Sequence, residues 1–119
     1  MSTSRSYAPR DWSLGAVLAE REVDAQTSVL VVRADAGPAA ALELRRRLLR
    51  LVRSGHTTVI VDLNGADRVT DAILAALMQG RRKLKASQGG RLVVTADDPS
   101  LRNVLERLGF ELDGLLEAI

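Results

Sequence analysis

The chain has 119 residues, 46% of them hydrophobic and 27% charged, which supplies one self-supporting core and too little length for two ordinary domains. Seventeen basic residues face fifteen acidic ones, so the net charge of +2 gives no electrostatic footprint for nucleic acid, and an aromatic content of 3% leaves no platform for stacking bases. With no cysteine and one histidine there is no disulfide, no material for a zinc cage and little for a nucleophilic triad, and neither a P-loop nor a dinucleotide loop is present. Residues 1–10 hold no apolar run of the signal-peptide kind and no stretch approaches membrane-spanning length, so a cytoplasmic protein without membrane insertion is expected.

In chain order, residues 1–13 are rich in Ser and Arg, lack periodicity and read as a flexible tail, with the domain proper over 14–119. Two strand-like runs, Ala16 to Val23 and Ser28 to Ala34, flank a short turn and predict an antiparallel hairpin at one edge of a sheet. Beyond Gly37-Pro38, Leu44, Leu48, Leu51 and Val52 recur at helical spacing, while Arg45, Arg46, Arg47, Arg50 and Arg53 fill the opposite, solvated face. Gly55 is placed to end this helix, and His56 after it reads as a solvated turn residue rather than a general base.

The continuous apolar run from Thr57 to Leu63 predicts a strand covered by helices on both faces. A loop from Asn64 to Val69 then leads into a helix from Thr70 or Asp71 to Ala86, whose apolar side carries Ile73, Leu74, Leu77, Met78 and Leu84. Gln88-Gly89-Gly90 turns the chain into a second buried strand, Arg91 to Ala96. Asp98-Pro99 is a helix start, with Asp as N-cap and Pro at the first helical position, and Gly109 is its stop. Phe110-Glu111-Leu112 reads as a short edge strand and Gly114 to Ile119 as barely one helical turn. A hairpin followed by β-α repeats implies an α/β fold: a mixed four- to five-stranded sheet flanked by three to four helices.

The remaining candidates for chemistry are carboxylates: Asp62, Asp67, Asp71, Asp97 and Asp98. Without a metal or base partner these are expected to be solvated or capping groups, and no catalytic residue, metal site or cofactor is expected. The loop from Asn64 through Asp71 stands at the carboxyl end of a central strand and feeds a helix N-terminus, where partners and ligands of α/β sheets meet backbone N–H groups. Asp71 already supplies an anion to that electropositive end, which disfavours a bound nucleotide or phosphate.

The segment Asp62-Leu63-Asn64-Gly65-Ala66-Asp67-Arg68-Val69-Thr70-Asp71-Ala72-Ile73-Leu74 resembles, without a gap, the central segment of STAS domains, the family of bacterial anti-sigma factor antagonists. The resemblance continues through Gln88-Gly89-Gly90-Arg91-Leu92-Val93-Val94 and through Pro99 to Leu105, ending at Gly109. It implies a partner, an anti-sigma factor of the serine-kinase type, bound by the unphosphorylated domain and released when a serine in an Asp-Ser-Ser-Gly stretch is phosphorylated. Those four positions are here Thr70-Asp71-Ala72-Ile73, so the phosphosite falls on Asp71 and the usual switch is missing. A second departure is Asp35-Ala36-Gly37-Pro38, where the family often has Gly-Glu-Leu-Asp.

A phosphoserine carries about −1.5 to −2 charges and three acceptor oxygens, so a carboxylate at Asp71 is a partial mimic, which either holds the domain off by repelling its partner or meets a partner arginine or lysine in a constitutive interface. Thr70 is a substitute phosphate acceptor by position and an N-cap by residue type. The resemblance thus implies a non-enzymatic module of transcription regulation with contact residues Arg68, Thr70, Asp71, Ala72, Ile73, Leu74, Met78 and Arg81. Of these, Ile73 and Met78 are expected to be core first, and Arg81, like Arg82, solvated surface first. The alternative is a STAS-type scaffold or accessory subunit of a transport or signalling complex, including one that forms a homodimer.

Overall fold

A computed structural model describes residues 12–14, 18–33, 38–66 and 68–112. Strand β1 spans Trp12–Leu14, β2 Leu18–Asp24 and β3 Thr27–Val32; helix α1 (Pro38–Arg53), β4 (Thr58–Asp62), α2 (Asp71–Gln88), β5 (Arg91–Thr95), α3 (Pro99–Arg107) and β6 (Glu111–Leu112) follow. The strands lie in the sheet in sequence order, antiparallel from β1 to β3 and parallel from β3 to β6. This is the expected mixed α/β sheet, reaching six strands because the short edge pieces β1 and β6 pair with it. The expected domain start at residue 14 falls inside β1, while residues 1–11, 15–17, 34–37, 67 and 113–119, and with them most of the tail and the terminal turn, lie outside the described residues.

Parallel neighbours need crossovers, and three successive right-handed crossovers that advance in one direction put every helix on one face. The core shows it: Leu30, Val32, Val59, Val61, Leu92 and Val94 pack with residues of α1, α2 and α3. The alternate row, Val29, Ile60 and Val93, is in register across β3, β4 and β5 and forms a separate cluster that contains no helical residue. The expectation of helices on both faces of the central strands is therefore corrected. Both rows are nevertheless buried, with Ile60 and Val93 each 1% exposed, which is why the sequence runs are continuously apolar.

Turn chemistry sets the element ends. Gly55 (φ 86°) and Gly109 (φ 82°) occupy the left-handed position after α1 and α3, where two backbone bonds close each helix end, one spanning six residues and one spanning four. At α1 the His56 N–H donates to the Leu51 carbonyl at 3.0 Å and the Gly55 N–H to Val52 at 3.1 Å. At α3 the Phe110 N–H donates to Leu105 and the Gly109 N–H to Glu106, both at 3.0 Å. The β2–β3 hairpin turn is held by the Asp24 carboxylate, which accepts from the Gln26 N–H at 2.8 Å. That bond keeps the Asp24 carboxyl below its ordinary range.

Three side chains depart from the sequence reading. His56 is buried rather than solvated, because the residue after a left-handed glycine turns back over the last helical turn, and neither of its ring nitrogens has a hydrogen-bond partner among the described residues. Arg47 is buried on the otherwise solvated arginine face of α1, where its guanidinium meets Glu43 at 2.9 Å and Glu20 of β2 at 3.2 Å. Arg50 joins the same Glu20. Arg81 is half-buried: its guanidinium lies 4.2 Å from the centre of the Phe110 ring and donates to the Leu108 carbonyl at 3.1 Å, tying α2 to the end of α3.

Candidate functional site

The carboxyl ends of β4 and β5 carry the two loops that lead into α2 and α3, and polar side chains join them. The Asp62 carboxylate accepts from the Asn64 N–H at 2.8 Å, which fixes the first turn of the loop. The Asn64 side-chain oxygen in turn accepts from the Asp97 N–H at 2.7 Å in the neighbouring loop, and the Leu63 N–H donates to the Thr95 carbonyl at 2.9 Å. Arg102 donates from α3 back to the Ala96 carbonyl at 2.8 Å. Between the loops lies a crevice whose walls include Asn64, Arg68 and Val69 on one side and Asp97, Ser100 and Val104 on the other.

Helix α2 opens at this edge. Thr70 is its N-cap, in extended backbone (φ −91°, ψ 168°), and its hydroxyl oxygen accepts from the Ile73 N–H at 3.3 Å. Asp71, the first helical residue, is exposed, and its carboxylate makes no hydrogen bond or ion pair among the described residues. Its carboxylate still complements the helix dipole, but the cap does not depend on it. Arg68 and Ala72 are also exposed, and Thr70 between them is half-buried.

The other expected contact residues are placed differently. Ile73 is 0% exposed and belongs to the main core, on the same helix face as Ala76 and Leu77, which is the core placement the sequence reading put first. Leu74 and Met78 are half-buried and pack against that core. Arg81 is engaged with α3 as described above and lies two to three turns from the helix start. Asp67 is outside the described residues. Sequence reading missed the opposite wall: Asp97, Ser100 and Val104 complete the crevice, and the signal for them was the second strand-to-helix loop at the same sheet edge, Asp97-Asp98-Pro99.

Among the described residues there is no group of three or more potential metal ligands and no helix long and apolar enough to cross a membrane. The family model described as Mlab, STAS domain matches residues 19–117. The chain belongs to the STAS domain family.

The fold of this STAS domain is similar to that of the anti-sigma factor antagonist SpoIIAA in its unphosphorylated form, with a TM-score of 0.72 and 18% identity over 81% of this chain and 86% of that one. The Bacillus cell fate determinant SpoIIAA in the phosphorylated form matches with a TM-score of 0.71 and 18% identity over 85% of this chain and 95% of that one. An anti-sigma factor antagonist from Mycobacterium paratuberculosis gives 0.63 and 21% identity over 88% of both chains. No curated protein sequence matches this STAS domain at a significant level.

Proposed function

We propose that this STAS domain is a non-enzymatic regulator that binds an anti-sigma factor through the exposed start of α2, and that phosphorylation at the usual position of that helix does not switch it. Support comes from the likeness of its fold to antagonists whose solved structures include unphosphorylated and phosphorylated forms. The observation that carries the reading is Asp71: an exposed carboxylate, one residue after a helix cap supplied by another side chain, at the position where the resemblance puts a phosphorylatable serine. Fixed there, it offers a partner arginine or lysine a charge-assisted contact that needs no modification.

Binding and phosphate transfer to a cognate anti-sigma factor of the kinase type test the proposal together. The wild type is expected to bind in the presence and absence of ATP and to take up no phosphate, and Asp71→Ala to bind more weakly. Asp71→Ser, with a hydroxyl restored, is expected to bind in an ATP-sensitive manner. Phosphate incorporated at Thr70 of the wild type would overturn the insensitivity. Equal binding by all three proteins would remove Asp71 from the interface, and no binding by any, with recovery in a transport complex instead, would replace the reading by that of an accessory subunit.

A further inference from the structure

The two longest helices carry far more positive charge than the chain as a whole. Arg45, Arg46 and Arg53 of α1 and Arg82, Lys83 and Lys85 of α2 are all exposed and unpaired among the described residues. The acids on these helices are elsewhere: Glu43, the one acid of α1, is bound to Arg47 at 2.9 Å, and Asp71 stands at the far end of α2. A net charge of +2 conceals this separation.

Between these helices runs an apolar groove on the side turned away from the sheet. Its floor is Leu49, Val52, Ala76 and Gly80, and its rim is Leu42, Arg45, Arg46, Gln79 and Lys83, with no carboxylate among the lining residues. The helices approach closely where Gly80 lies on Leu48: a Cβ on that glycine would come within 2.6 Å of the Leu48 Cδ1 atom. Leu42 stands above the floor at 45% exposure, one of the few large hydrophobic side chains so exposed among the described residues. Leu42, Leu49 and Val52 follow one another along α1 over about 15 Å, which matches two to three turns of a second helix.

We infer that the α1–α2 groove is a second docking site, distinct from the start of α2, and that its occupant is an amphipathic helix of a partner protein with acidic residues flanking its apolar stripe. Complementary charge selects this occupant. A second copy of the chain docked through the same face would set arginine against arginine. Leu49 and Val52 are half-buried between the helices, which suits the narrow apolar stripe of a helix better than a flat membrane surface, and the groove lining has no aromatic side chain for nucleic acid. The groove walls hold the apolar stripe while the three cations orient it and speed encounter, an effect that weakens as salt rises.

The probe is a synthetic 14-residue helical peptide with leucines on one face and glutamates beside them, titrated into isotope-labelled full-length protein and followed by NMR. A counterpart peptide with lysine in place of every glutamate serves as the reverse charge. Shifts are expected over residues 42–53 and 76–83 for the glutamate peptide alone. The double variant Arg45→Glu/Lys83→Glu is expected to weaken that peptide at least tenfold and to gain affinity for the lysine peptide. Leu42→Glu is expected to weaken both, and Arg107→Glu on α3 to change neither; all four positions are exposed, so the fold is retained. Equal affinity for the two peptides, shifts centred on residues 64–74, absence of saturable binding at millimolar peptide, or binding of phosphatidylglycerol vesicles in preference to the peptide would each overturn the inference. The first proposed site is read separately by anti-sigma factor binding to the same variants.

Discussion

Helices α2 and α3 begin at the same edge of the sheet, and a side-chain oxygen caps each on the N–H three residues later. At α3 the cap is Asp98, whose carboxylate accepts from Leu101 at 2.9 Å, with Pro99 at the first helical position. At α2 the cap is Thr70, and the carboxylate sits one residue further on, exposed and unpaired. The same residue type is thus spent on the fold at one helix start and left available at the other. A carboxylate near a helix N-terminus is uninformative until its position relative to the cap is known.

The two starts also differ in what lies behind the cap, and this sets the largest expected effect. The residue that donates to the cap is Ile73 in α2, fully buried, and Leu101 in α3, half-buried. Ile73→Ala is expected to cost about 2 to 5 kcal/mol in denaturant unfolding, and Leu101→Ala clearly less. Equal losses would break the comparison by showing that α3 is as firmly seated as α2. Next come the caps themselves: Asp98→Ala is expected to cost about 1 kcal/mol and Thr70→Ala, with its longer bond, an amount toward 0.5 kcal/mol. A larger loss at Thr70 would mean that the helix start of α2 is the more dependent on its cap.

A smaller, acid-sensitive contact lies beyond the far end of α3. Arg91 of β5 and Glu111 of β6 form a two-pronged ion pair across the edge of the sheet. The guanidinium holds the Glu111 carboxyl below its ordinary value of 4.5, and the carboxylate raises Arg91. Because Glu111 is depressed in the folded state, its contribution is present above the unfolded value and is lost as pH falls through the folded one. Both side chains are about half exposed, at 49% and 48%, so screening limits the effect to well under about 1 kcal/mol. Glu111→Gln is expected to remove it, making unfolding less sensitive to acid as the pH falls below about 4.5, most visibly at low salt.

Much of this architecture is legible from local signals. Gly55 and Gly109 sit where the helices stop, Asp98-Pro99 starts α3, and the apolar runs give β4 and β5. The side chains that were misplaced are those whose surroundings are set by distant segments. Glu20 of β2, 27 residues before Arg47, draws that arginine off the solvated face. Leu108 and Phe110, well beyond Arg81 in sequence, engage its guanidinium and leave the residue half-buried. His56 is turned inward by the backbone geometry that its neighbour Gly55 permits. At the candidate site the loop and Asp71 were legible, while the second wall was not, because the bond between Asn64 and Asp97 spans 33 residues.

The central claim, that Asp71 serves binding and not folding, is tested most directly by measuring unfolding free energy and anti-sigma factor affinity on the same preparation of Asp71→Ala. The expected result is a stability loss of no more than about 1 kcal/mol, the size of a dipole contribution, together with an affinity at least tenfold weaker. A loss of about 2 kcal/mol or more with unchanged affinity would contradict it and return Asp71 to the fold.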